Sequence, residues 1–222
     1  MKSISKQQLL ITFIPAISIL VAVVIVSMFF NINMALITRD VTAIGKIHPL
    51  AGILSSVGIL LWCVTASICF FSAIILRNIK QTANFWFLLN SAFLSIYLLL
   101  DDLFLVHEQL SSIYFGISEK IVFMFLGIAV FAYLTTYRLK IFKTNYSVLL
   151  LALGFLSFSV VIDTILGPLL KIGHWEYFIE DGFKWLGIAS WCSYYTQTCL
   201  LFVIKANANC LTNKDRSRAA AT

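Results

Sequence analysis

The sequence predicts an all-α membrane protein, a polytopic bundle of six transmembrane helices that forms a single domain over residues 1–222. Hydrophobic residues make up 60% of the chain and charged residues 12%, against about 45–50% and about 25% in soluble domains. The mean hydropathy is +0.94. A soluble fold of this size could not cover its surface with so few polar side chains. Composition therefore excludes a soluble globular protein, a disordered chain and a nucleic-acid-binding module.

Six apolar runs carry this prediction, each of about the 20 residues that a helix needs to cross the hydrocarbon core. The first follows Lys2 and Lys6, as in a signal peptide, but it is long and has no small-x-small cleavage site, so we expect a retained helix. Pro49 directly precedes the second run and suits the first turn of a helix. Short connections join the later runs and leave no soluble appendage. The approximate spans are 9–30, 50–76, 85–106, 121–141, 146–170 and 183–204.

The distribution of charge along the chain predicts the orientation of the bundle. With six spans, eleven of the sixteen Lys and Arg residues lie on the side of the N-terminus, together with the C-terminal tail. The positive-inside rule makes that side cytoplasmic, so we expect both termini inside the cell and the protein in the plasma (inner) membrane. Nine of the ten acidic residues and all three histidines lie on the opposite, outer side.

Carboxylates interrupt two of the apolar runs at the same depth. Asp101 and Asp102 lie in the third run, and Asp163 lies in the fifth. Asp101 follows Asn84 by seventeen residues, and Asp163 follows Tyr146 by the same number, which is about 25 Å along a helix. A charge inside a span is costly, so such residues usually face partners or water inside the bundle. The sequence therefore predicts a polar site just beneath the outer membrane face. The alternative is a pair of interfacial aspartates that cap the third helix.

Other polar residues follow these carboxylates at the outer side. Carboxylates and neutral imidazoles together are ligands of zinc, iron or manganese. We expect Asp102 and Asp163 to be the catalytic residues, with a divalent transition metal (Zn, Fe or Mn) as cofactor. The predicted metal ligands are Asp101, His107, Glu108, His174 and Glu176. The spacing matches no established metal motif, and a lone histidine is more often an ordinary polar residue.

Three classes of function remain open at this point. The first is a metal-dependent membrane enzyme, a hydrolase or oxidoreductase, whose substrate is a lipid or another amphiphile because the site lies at headgroup depth. The second is a proton- or cation-coupled transporter, or a subunit of one, in which buried carboxylates relay the ion. The third is a non-catalytic subunit of a membrane complex. The expected partners are membrane lipids, and no nucleic acid is expected.

Overall fold

The computed structural model of the protein describes residues 6–166 and 174–219. It is 87% helical, and the described residues contain no strand. The chain divides into two compact units, Met1–Gly52 and Ile53–Thr222.

The first unit contains one long helix and two short ones. Helix α1 spans Lys6–Phe30, α2 spans Met34–Thr38 and α3 spans Val41–Gly45. The large apolar side chains of α1 that the structure describes are mostly exposed, as expected of a helix that faces lipid rather than a protein core. Asn33 caps α2, because its side-chain oxygen accepts a hydrogen bond from the backbone N–H of Ala35 at 2.9 Å.

The second unit is built on four helices that pack closely against one another. These are α4 (Ile53–Asn78), α5 (Thr82–Phe104), α8 (Tyr146–Val161) and α9 (His174–Ala219). Helix α4 contacts α5 and α9, and α9 also contacts α8. Small residues such as Ala66, Cys69 and Ala73 line the buried face of α4, and small side chains allow helices to approach closely in a membrane.

Helix α7 (Glu119–Ile141) packs less closely than these four helices, because few of its side chains are buried. It is fastened near its C-terminal end, where Tyr133 and Ile141 enter the core. Tyr137 bonds with Asn90 of α5 at 2.6 Å, and the Lys140 ammonium donates to the carbonyl of Ala83. None of the described side chains in the first half of α7 is buried, and open space remains between this half and the other helices.

Two π-helical turns interrupt the helices where the predicted polar site begins. Helix α5 ends because Leu105 takes a left-handed conformation with φ of 49°, which is strained for a residue with a branched side chain. A π-helical turn (Val106–Leu110) and the short helix α6 (Ser111–Phe115) follow. Helix α8 likewise passes into a π-helical turn, Ile162–Leu166, which contains Asp163. Such turns are often found at functional sites.

Four of the six predicted spans are confirmed as helices long and apolar enough to cross a membrane: Ile53–Asn78, Thr82–Phe104, Lys120–Ile141 and Tyr146–Thr164. The predicted first span lies within α1, where Ala16–Phe30 is a shorter apolar helix. The predicted sixth span lies within α9. Residues 167–170, at the end of the predicted fifth span, lie outside the described residues.

Candidate functional site

A cavity of about 510 Å³ lies in the second unit, beside α7. We call it the α7–α8 cavity, because most of its lining residues belong to these two helices, among them the apolar Leu126, Val130, Leu153 and Leu156. The lining also contains five charged side chains at the last turn of α5, just after α8 and near the start of α9. We call this set the carboxylate end; it consists of Asp101, Asp102, Asp163, Glu180 and Lys184.

Asp102 is held at the carboxylate end by two different partners. Its Oδ1 lies 2.8 Å from the Lys184 ammonium, and its Oδ2 accepts a hydrogen bond of 2.8 Å from the indole N–H of Trp62. Both side chains of the ion pair are largely shielded from solvent, with 11% of Asp102 and 30% of Lys184 exposed. This arrangement ties α5 to α4 and α9 at one point and neutralises Asp102 inside an apolar bundle.

The two other aspartates differ in their surroundings. Asp101 is buried with 5% of its surface exposed, and it has a polar contact of its own. Asp163 is half-buried on the cavity wall. Within the described part of the chain, Asp163 has no hydrogen bond or ion pair. Asp163 is therefore the carboxylate that a molecule inside the cavity would meet with the least rearrangement of the protein.

Lys184 also lines a second, smaller cavity on its other side. That cavity, of about 20 Å³, is shared with Ser55, Asp181 and Trp185. The indole nitrogen of Trp185 is buried and has no hydrogen-bond partner among the described residues. A cavity of this size can hold one water molecule, which is the simplest partner for that N–H group.

Below the carboxylate end, a series of hydrogen bonds joins α5, α7 and α9 through the core. The indole N–H of Trp191 donates to Ser95 Oγ at 3.1 Å. One turn earlier in α5, Ser91 Oγ lies 2.7 Å from the hydroxyl of Tyr133, which also accepts a hydrogen bond of 2.9 Å from the Tyr195 hydroxyl. Buried hydroxyl and indole groups need such partners, and these bonds set how α7 and α9 are rotated against α5.

The structure brings together three of the seven predicted site residues. Asp101, Asp102 and Asp163 line the same cavity although they come from α5 and from the turn after α8. The side chains of His107, Glu108, His174 and Glu176 lie outside the described part of the chain. Among the described side chains, no group of three or more His, Cys, Asp or Glu residues is arranged to hold a metal ion.

Sequence reasoning did not identify two central residues of the site. Trp62 lies in the apolar second span and Lys184 near the start of the last span, and neither position indicates a link to Asp102. The structure makes both residues partners of Asp102. No local signal could have shown this, because the partners lie on three different helices and meet only after folding.

Comparison with families of known sequences gives one result that covers most of the chain. A family model described as "Domain of unknown function (DUF8692)" matches residues 16–198. No curated protein and no solved structure matches the chain. Because the match covers well over half of the sequence, this chain belongs to the DUF8692 family.

Proposed function

We propose that this chain is a multi-pass membrane protein that binds an amphiphile in the α7–α8 cavity and acts as an enzyme on its headgroup. The observation that carries the proposal is the division of one cavity into a long apolar wall and a carboxylate end. An amphiphile is divided in the same way. The volume of about 510 Å³ lies within the range of about 300–1,000 Å³ that is typical of small-molecule sites.

In the proposed topology, the cavity lies at a depth where it can contact both the headgroup and the acyl chain of a lipid. We propose six spans, with residues 9–30 and 183–204 added to the four membrane-length helices, and with both termini in the cytoplasm. In support, α9 has 46 residues and would be about 70 Å long, more than twice the roughly 30 Å of the hydrocarbon core. The carboxylate end then lies near the outer headgroups of the plasma membrane, and the apolar wall lies beside the acyl chains.

Asp163 is the best placed general base in this proposal. Its carboxylate is half-buried on the cavity wall, whereas both oxygens of Asp102 already have partners. We therefore assign Asp163 the removal of a proton from water or from a headgroup hydroxyl. Asp102 has a positioning role, because it fixes Lys184 and Trp62 at the same end of the cavity.

A metal-dependent version of the reaction needs the side chains that are not described. Asp101 with His107, Glu108, His174 and Glu176 would offer the carboxylate and imidazole ligands of Zn, Fe or Mn. A bound metal would supply an activated water at neutral pH. This version is wrong if purified protein holds no stoichiometric transition metal and His107→Ala leaves the activity unchanged.

The transporter alternative is less well supported by the packing. A coupled transporter needs a polar route that continues from the carboxylates to the opposite end of the bundle. Leu76, Phe87, Leu88 and Leu149, which lie toward that opposite end, are almost completely buried against one another and their neighbours. This dry packing favours a site that is reached from one side.

A cavity-filling variant tests the proposed function against a matched control. A Cβ added at Gly127, which lines the cavity, would meet no atom within 4 Å, and the same holds at Gly154, which lies on α8 outside the cavity lining. The experiment compares Gly127→Leu with Gly154→Leu in native mass spectrometry of gently extracted protein. We expect a bound amphiphile in the wild type and in Gly154→Leu, and its loss in Gly127→Leu. Equal lipid content in all three proteins would contradict the proposal.

A further inference from the structure

The charges around the α7–α8 cavity indicate which class of headgroup it accepts. Among the described residues that line it, four are acidic and one is basic. The basic residue, Lys184, lies 2.8 Å from a carboxylate oxygen of Asp102. Its charge is thereby already matched within the protein, and it is poorly placed to bind an anion such as a phosphate group.

Asp163 gives this charge pattern a specific point of contact. It shares the cavity with apolar side chains of α7 and α8 and has no ion pair among the described residues. A carboxylate in such surroundings is stabilised most by a cation that carries an apolar chain, because the chain can pack against the apolar wall while the cation pairs with the carboxylate.

From this charge complementarity we propose that the occupant is a single-chain amphiphile with a cationic, ammonium-type headgroup. Its apolar chain lies against α7 and α8, and its ammonium group lies beside Asp163. The inference rests on the proposed function, because it names the chemical class of the molecule that the same cavity binds. A neutral sugar headgroup or an anionic phosphate headgroup would leave Asp163 without a counter-charge.

Competition among amphiphiles that share one alkyl chain and differ in headgroup tests the headgroup preference separately from binding of the chain in the cavity. The full chain is placed in nanodiscs of a galactolipid, whose headgroup carries no ammonium group, and binding of a radiolabelled alkyl ammonium amphiphile is measured above the level of empty nanodiscs. Unlabelled competitors carry an ammonium, a phosphate or a sugar headgroup. We expect the ammonium competitor to act at about tenfold lower concentration, the change that one partly shielded ion pair brings.

Three variants test whether Asp163 causes the preference for the ammonium headgroup. Asp163→Asn should abolish the preference for ammonium, and Asp163→Glu should retain it, which also shows that the site tolerates substitution. Asp40→Asn is the matched control, because Asp40 belongs to the first unit, does not line the cavity and makes no side-chain cap hydrogen bond. It should behave as the wild type.

The possible outcomes separate the two proposals. If all three headgroups compete equally and Gly127→Leu abolishes binding of each, the cavity binds amphiphiles and only the headgroup inference is overturned. A preference for phosphate or sugar overturns it as well. If no amphiphile binds above the nanodisc background, both proposals fail. If Zn²⁺ or Mg²⁺ alone displaces the ammonium probe in the wild type but not in Asp163→Asn, the carboxylates hold a metal and the headgroup inference is wrong.

Discussion

Asp102 shows how one ionised side chain is accommodated inside an apolar bundle. Each of its oxygens has one partner, the Lys184 ammonium on one side and the Trp62 indole N–H on the other, both at 2.8 Å. Removing one partner of a buried pair leaves the other charge uncompensated, which costs more than the pair itself contributes. The consequence can be measured on this pair.

Lys184→Met should destabilise the protein by about 1–3 kcal/mol, less than the roughly 3–5 kcal/mol of a fully buried pair because Lys184 is partly exposed. Asp102→Asn in the Lys184→Met background should recover part of this loss, since it removes the unpaired charge. Thermal unfolding in detergent micelles measures both effects. Lys120→Met, at an exposed position, is the control and should change little. A Lys184→Met protein as stable as the wild type would disprove the structural role of the pair.

At the scale of helices, α8 and α9 are in close contact because α9 carries a glycine where they meet. A Cβ at Gly187 would lie 2.6 Å from Leu156 Cγ and 3.0 Å from the Leu156 backbone nitrogen. The shorter distance requires the Leu156 side chain to move, and the close backbone nitrogen leaves little room for that movement. Five residues earlier in α9, a Cβ at Gly182 would lie in open space.

We therefore expect Gly187→Ala to lower the free energy of unfolding by about 1–3 kcal/mol through overpacking. In contrast, Gly182→Ala should be neutral or stabilising by as much as about 1 kcal/mol, because alanine is the better helix former. The two variants make the same chemical change in the same helix. The midpoint of thermal unfolding should fall for Gly187→Ala and should stay unchanged or rise for Gly182→Ala, and equal midpoints would show that the contact with Leu156 is not limiting.

Helix α7 is held by few contacts with the other helices, and the buried Tyr133 makes one of them. Its hydroxyl joins Ser91 of α5 and Tyr195 of α9. Tyr133→Phe should cost about 1–2 kcal/mol and should increase amide hydrogen exchange in α7 more than in α4 or α9. Tyr146→Phe serves as control, because Tyr146 is exposed and its hydroxyl has no partner among the described residues. Unchanged exchange in α7 would show that the apolar contacts hold this helix without the hydroxyl.

At the scale of the whole molecule, the proposed topology predicts the accessibility of two equivalent positions. Ser118 and Asn145 both directly precede a helix, α7 and α8, and neither side chain caps it. In a background without cysteines, Ser118→Cys should react with a membrane-impermeant thiol reagent from outside intact cells. Asn145→Cys should react only after the membrane is opened. The reverse pattern would overturn the N-in, C-in topology.

The all-helical class and four membrane-length helices were predictable because they depend on local properties. A run of about 20 apolar residues has few alternatives to a helix in a membrane. The end of α5 at Phe104 and the π-helical turns were not predictable, because apolar sequence continues through Leu105. The separate unit Met1–Gly52 also depends on contacts rather than on composition.

The sequence by itself was enough to predict a similar depth for Asp101 and Asp163, because each helical residue adds a constant rise along the axis. Only the tertiary structure decided that both face one cavity, since this depends on how each helix is rotated about its axis. It also decided that Trp62 and Lys184 hold Asp102 and that α7 leaves room beside α8. Such contacts join residues 40 or more positions apart, and packing between helices selects them.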